Sequence, residues 1–430
     1  MGSGQKPTWS AAMPTGETGA VTGQQWKWSA LAGMASYLDA GSIVALGAGL
    51  ALFESTLGLS KGAVGALTAI GPNAIGCALG AFVGGWLGDK LGRKRIYQYD
   101  LLVYAAGILF IACAMNVAML FIGTFVVGLA VGADVPTSLA LVGEFAPAKA
   151  RGKLLGFTQV AWCLGPAIVL WLAVFLAPLG MLGIRIVFLH LFVAAIVTWA
   201  LRRGLAESAR WVAASSTASQ NVSKLFSGAN FRALIWTATI YLFWNLAAGT
   251  AGIFNPYFIK TLNAGSQAAS TGMYSMAFVT AMLVTWLVFM PFSDRSYATR
   301  KWLWGVGAVM QIVAWGMLIF LPFTVPMIIA NIVMFAAGAS LAGEAFYKVF
   351  SQELFPTMLR GTAQGISFGA ARTVLGVWSF FVPRLAGAGI GHVAGLLTLF
   401  LIISGVVGFF GMPNTSGKTL EQIEAERAQA

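Results

Sequence analysis

Twelve apolar runs divide this chain, each about the 20 residues that a helix needs to cross a bilayer. They fall at 28–53, 63–88, 97–115, 118–143, 154–177 and 184–202, then, after a polar stretch, at 232–259, 270–292, 302–321, 325–350, 362–386 and 390–411. Backbone inside a bilayer must satisfy its own hydrogen bonds, which leaves helices and closed barrels. Barrel strands would show short alternating segments, not long continuous apolar ones. Charged residues are 9% of the chain and mean hydropathy is +0.80, whereas a water-soluble domain carries about 25% charge. The sequence therefore predicts an all-α polytopic membrane protein with 12 transmembrane helices in two halves of six. The expected domains are an N-terminal tail at 1–27, a bundle at 28–202, a linker with short helices at 203–231, a second bundle at 232–411 and a C-terminal tail at 412–430.

The formal net charge is +12. In a soluble protein that excess would point to nucleic acid. Here the basic residues sort by loop. Alternate loops hold sixteen of them, from Lys90 to Arg360, while the opposite loops hold only Lys61, Arg185, Lys260 and Arg384. Lys and Arg collect on the cytoplasmic side, so both termini and the linker are expected there, with no nucleic-acid partner. Cys77, Cys113 and Cys163 show no metal or disulfide spacing and read as packing residues. No cofactor or metal is expected. The two histidines, His190 and His392, form no His-Glu-x-x-His pattern, and no nucleophile motif suggests an enzyme.

The halves repeat. Glu144-Phe-Ala-Pro147-Ala-Lys-Ala-Arg151-Gly152 follows run 4, and Glu353-Leu-Phe-Pro356-Thr-Met-Leu-Arg360-Gly361 follows run 10, with identical spacing. Asp89 and Arg93 follow run 2, and Asp294, Arg295 and Arg300 follow run 8. Two matches at equivalent places indicate duplication of a six-span unit. Repeats with a site at their interface are how many secondary transporters are built.

The loop Gly85-Trp-Leu-Gly88-Asp89-Lys90-Leu-Gly92-Arg93-Lys94-Arg95 has small residues for close helix approach and a carboxylate suited to a helix end. It resembles the signature loop of the major facilitator superfamily. Glu144–Gly152, Glu353–Gly361 and Glu207-Ser-Ala-Arg210-Trp211 resemble sugar porter loops, with Ala206 and Ala209 where that family has prolines. Tyr37-Leu-Asp39-Ala-Gly, Gly132-Ala-Asp134-Val-Pro136 and Tyr347-Lys348 look most like bacterial inositol transporters of that family. The resemblance runs from Trp28 to Met412. It implies a monomeric cell-membrane transporter with alternating access. It also implies a cytoplasmic gate formed by Asp89, Arg93, Glu144, Arg151, Glu207, Arg210, Asp294, Glu353 and Arg360. The plainer alternative is that these charges only fix topology.

Ionisable residues inside a membrane are costly and mark function. Asp39, Asp134, Glu344, Lys348 and Arg372 lie within runs, three acids against two bases. Glu344 and Lys348, at i,i+4, can pair on one helix face. Pairing Arg372 with another acid leaves one carboxylate over, and a lone buried carboxylate can take up and release protons. Asp39, Asp134, Glu344 and Arg372 are therefore the proton-coupling candidates, with H+ as the coupling ion. In sugar porters the span 1 aspartate, matched by Asp39, pairs with a span 4 arginine and carries the proton. The matching position here is Thr124. Asp39 is then either held neutral or faces a base from the other half.

Gln159 matches the sugar porter glutamine that binds sugar hydroxyls, and an amide both donates and accepts. Trp162 and Trp244 can stack on a ring. Asn245 and Asn255 stand in the region of the family's paired span 7 glutamines, and Lys348 about where its span 10 tryptophan falls. Tyr347 and Trp378 complete the substrate-binding candidates. Gly249, Gly252 and Pro256 suggest that span 7 bends. The expected function is proton-coupled uptake of inositol or a monosaccharide. The alternatives are transport of a small organic anion on Lys348 and Arg372, or passive facilitation. The expected partners are a small-molecule solute and the lipid bilayer.

Overall fold

The computed structural model of the protein describes residues 20–205, 207–217, 220–261, 267–387 and 389–429, except the side chains of 61, 217, 253–261, 267–271 and 383. These residues form helices and no strand. Among the described residues the helices make up twelve spans, ten of them long and apolar enough to cross a membrane. Spans 1 to 6 are Gly23–Leu57, Gly62–Leu91, Arg93–Ala112, Val117–Phe145, Arg151–Phe175 and Met181–Arg202. Spans 7 to 12 are Gly228–Thr261, Gly272–Phe292, Tyr297–Phe320, Val325–Glu353, Arg360–Ser379 and Ile390–Phe410. Between the halves runs a short linker helix, Ala209–Thr217, and after span 12 a tail helix, Leu420–Ala428. Exposed apolar side chains such as Val83, Ile122, Val193, Leu287 and Val313 coat the spans. Such a surface suits hydrocarbon, not water.

Local chemistry explains where the helices depart from the apolar runs. Span 1 starts at Gly23, ahead of its run, because Thr22 and Gln25 form a reciprocal capping box, which satisfies two orphan donors. Span 2 breaks at 71–74, over Gly71-Pro72-Asn73-Ala74, between helices Lys61–Ile70 and Ile75–Leu91. Span 10 breaks at Ala342 and Gly343, between Val325–Leu341 and Glu344–Glu353. A side chain at Gly343 would collide with the Trp244 indole. Span 8 holds a π-helical turn at Thr285–Phe289. Span 7 is one helix through Gly249 and Gly252. Cys77 and Cys163 are buried, but Cys113 is exposed at the end of span 3 and is not a packing residue.

The halves touch backbone to backbone near the repeated loops. A side chain at Gly85 would strike the Gly361 carbonyl, and one at Gly365 the Ala81 carbonyl, so spans 2 and 11 meet through glycine. Span 5 instead takes side chains from the end of span 8 against its glycines, Ser293 and Asp294 at Gly152, and Phe289 and Met290 at Gly156. Small residues allow this close approach.

Candidate functional site

The repeated loops assemble into a two-fold ionic network. In one half Arg93 lies 2.6 Å from Asp89 and 2.9 Å from Glu144. Arg360 reaches over from the other half to Glu144 at 3.1 Å. Arg300 repeats this 3.2 Å from Asp294 and 2.8 Å from Glu353, and Arg151 crosses to Glu353 at 3.1 Å. Asp89 accepts from the Gly361 and Thr362 amides at 3.0 and 2.7 Å, capping span 11. Asp294 accepts from the Gly152 and Lys153 amides at 2.9 and 2.8 Å, capping span 5. Each aspartate thus caps a helix of the opposite half, where a negative charge is favoured.

The linker and the tail join this network. Glu207 accepts from the Arg93 and Lys94 amides at 3.1 and 3.0 Å, at Gly92, whose φ is +100°. Arg210 donates to the Glu144 carbonyl at 2.6 Å and lies 3.0 Å from Glu421 of the tail helix. Thr415 donates to Glu353 at 2.6 Å. All nine residues expected to form a gate therefore come together at one end. Arg300, Thr362 and Thr415 belong with them and were not on that roster. Arg300 was recoverable from the repeat, since it fills the role of Arg93.

A second cluster lies at mid-span between the halves. Gln159 of span 5 accepts from the Lys348 ammonium at 2.7 Å and donates to Glu344 at 3.2 Å. Lys348 and Glu344 are 3.7 Å apart. Trp162 donates to Asp39 at 3.2 Å. Arg372 of span 11 stands 3.9 Å from Asp39 and donates to the side-chain oxygen of Asn73 at 2.8 Å. The base facing Asp39 thus comes from the other half. Asn73, at the break in span 2, is an added member; only its place after Gly71-Pro72 marks it in the sequence. Glu344 opens the second helix of broken span 10. Interrupted helices at membrane depth are tolerated where they line a cavity.

A small cavity of about 50 Å³ opens here, lined by Asn73, Trp162, Trp244, Asn245, Glu344 and Arg372, with Tyr274 and Phe278 as an aromatic wall. It shares Ile43, Val44, Asn73, Gly252 and Tyr274 with a vestibule of about 630 Å³ leading away from the ionic network, between spans 1, 2, 5 and 6. Several buried polar atoms here have no hydrogen-bond partner among the described residues: Asp39 Oδ1, Trp244 Nε1, Asn245 Oδ1 and Arg372 Nε. Such atoms are uncommon in folded proteins and call for an explanation.

Three expected site residues lie elsewhere. Asp134 is 3.1 Å from Arg202, away from the central cluster. Arg202 reads from its position as a loop residue but turns inward and is buried. Tyr347 stacks on Tyr241 and shares a 2.7 Å hydrogen bond with Ser367. Trp378 donates to Thr250 at 2.8 Å. Neither Tyr347 nor Trp378 lines the small cavity. The Asn255 side chain lies outside the described residues.

Comparison with known proteins places this arrangement. The model of the Major Facilitator Superfamily matches residues 29–383. The chain is 38% identical over 407 residues to the minor myo-inositol transporter IolF of Bacillus subtilis, covering 92% of each protein. It is 25% identical to the glucose transporter GlcP of Staphylococcus epidermidis, covering 82% of this chain and 86% of that one. Among solved structures, the proton:xylose symporter XylE bound to 6-bromo-6-deoxy-D-glucose superimposes with a TM-score of 0.81 at 19% identity, covering 94% and 98% of the two chains. The overlap falls to 0.65 with the inward-open form of XylE from E. coli, at 18% identity and 93% and 98% coverage. The fold, the family model and the full-length relative agree that this chain is a multi-pass membrane transporter, not an enzyme, and belongs to the major facilitator superfamily.

Proposed function

We propose that the protein couples proton entry to uptake of a small uncharged polyhydroxylated solute, inositol before a monosaccharide, by alternating access. It works as a monomer in a bacterial inner membrane with both termini, linker and ionic network on the cytoplasmic side. The observation that carries this reading is the central cluster. Two acids, Asp39 and Glu344, face two bases, Arg372 and Lys348. While Asp39 is ionised the four charges balance, and Trp244 Nε1 and Asn245 Oδ1 offer a donor and an acceptor without hydrogen-bond partners among the described residues. Hydroxyl groups can satisfy both, and Trp162, Tyr274 and Phe278 supply apolar surface. The resemblance to IolF and XylE supports the same solute class and coupling ion. An anion would need a free counter-charge, yet Lys348 faces Glu344 and, while Asp39 is ionised, Arg372 faces Asp39.

The proposed cycle follows from the geometry. Asp39 takes a proton from the vestibule, and Arg372 then relies on Asn73, its nearer partner. The bound solute joins groups from spans 5, 7 and 10. A ligand shifts such an equilibrium only by its differential affinity for the two states, so the solute must bind better once the halves close on it. The network at the cytoplasmic end then parts, and Asp39 returns its proton on that side.

Uptake of labelled myo-inositol into proteoliposomes, with and without an inward proton gradient, tests this. Gradient-driven accumulation lost in Asp39→Asn supports it. Uptake that only equilibrates establishes a facilitator. Failure of inositol and hexoses alongside uptake of an organic anion establishes the alternative.

A further inference from the structure

The charge tally of the membrane interior gains two members, Asp100 and Arg202. Arg202 ends span 6 and is buried. Its Nη1 lies 3.1 Å from Asp134 of span 4 and 3.7 Å from Asp100 of span 3. It also donates to the Tyr97 carbonyl at 3.2 Å and the Leu31 carbonyl at 3.0 Å, and its guanidinium lies 3.6 Å from the Tyr97 ring centroid. The two carboxylates thus share one guanidinium nitrogen. Asp100 Oδ1 accepts from the Leu101 amide at 2.6 Å. Asp100 Oδ2, Asp134 Oδ1 and the Tyr97 hydroxyl are buried with no hydrogen-bond partner among the described residues. The ionisable groups around the pair are Arg202 from span 6 and Tyr97 from span 3, while span 1 contributes the Leu31 carbonyl.

Two adjoining carboxylates and one guanidinium, all removed from water, cannot all be charged without a large penalty. We propose that Asp100 and Asp134 hold one proton between them at neutral pH, making this cluster a protonation site separate from the central cavity. The proton sits on one of the carboxyl oxygens, leaving one negative and one positive group in balance. It belongs to the pair and not to either residue. The site binds spans 1, 3, 4 and 6 together. It lies about three turns before Glu144 on span 4, joined to the gate by the same helix, which carries Pro136. The pair exchanges its proton when that end of the N-terminal half admits water.

Infrared spectroscopy of the purified full-length protein in lipid nanodiscs reads this without any solute. A buried protonated carboxyl gives a C=O stretching band that shifts in heavy water. Asp100→Asn and Asp134→Asn should each abolish one such band at neutral pH, while Asp39→Asn should leave that band in place. The two isosteric variants report the same proton, so either suffices if the other fails to fold. A band that survives both substitutions, or no such band in the unaltered protein, overturns the proposal.

Discussion

Two buried ionic clusters bridge the halves, and they are built in opposite ways. At the end network each glutamate meets a guanidinium from either half within 2.8–3.1 Å, and the whole pattern repeats by pseudo-symmetry. In the centre the pairs stand at 3.7 and 3.9 Å, beside a cavity of about 50 Å³. Tight, doubled pairing suits a lock, since removing one member strands a buried charge. Loose pairing with open donors and acceptors suits a site that a proton or solute can rearrange. The contrast teaches that burial and ion pairing alone do not identify the transport site; the looser pairing beside a cavity does.

The largest expected effect tests the lock. Glu144→Ala or Glu353→Ala leaves two guanidinium groups without their shared carboxylate. Breaking a buried pair costs about 3–5 kcal/mol, drawn here from the closed form alone. With Ser293→Cys as reporter beneath Gly152, in a background lacking the native thiols, labelling should rise by about 100-fold or more. An unchanged rate would break the comparison, because the end network would then be fixing topology only.

The centre should respond differently. Arg372→Met alone should abolish counterflow of labelled solute by leaving Asp39 without its base. Asp39→Asn alone should stop gradient-driven accumulation yet keep counterflow. The double variant, with both charges gone, should recover counterflow, as coupled pairs are non-additive. If it transports no better than Arg372→Met, Arg372 acts on the solute directly, and the anion reading gains.

The sequence made one of these clusters far easier to read than the other. The end network was legible because duplication printed it twice, and Glu-x-x-Pro-x-x-x-Arg-Gly supplies half of each lock. Twelve spans were legible because apolar length is a bilayer constraint. The pairing of Asp39 with Arg372 was not, since the two sit in spans 1 and 11, and only folding shows which helices face each other. The place of Arg202 is not legible, because a base at the end of an apolar run looks the same whether it turns out to water or in toward Asp100 and Asp134. Asn73 was missed because Gly71-Pro72 announces a break without saying what the break exposes.

A smaller effect is expected at Gln159, which joins Lys348 to Glu344. Gln159→Ala strands both partners, at about 1–3 kcal/mol. Solute affinity in a binding assay should weaken by about tenfold or more, with proton coupling retained. Equal loss of affinity and coupling would merge the roles of Gln159 and Asp39.

The smallest effect lies where the lock meets water. Glu421 of the tail helix is well exposed, its side chain 65% accessible, and pairs with Arg210. Exposed pairs contribute about 0–1 kcal/mol and are screened by salt. Glu421→Ala should therefore raise labelling of the Ser293→Cys reporter by less than about fivefold. Raising ionic strength should reproduce that change in the unaltered lock and add nothing to Glu421→Ala. Glu144 is buried beneath the same Arg210, which donates to its carbonyl, so salt should not reproduce the Glu144→Ala opening. If salt alone opens the reporter as far as Glu144→Ala does, the network is held by its rim and not by its buried core.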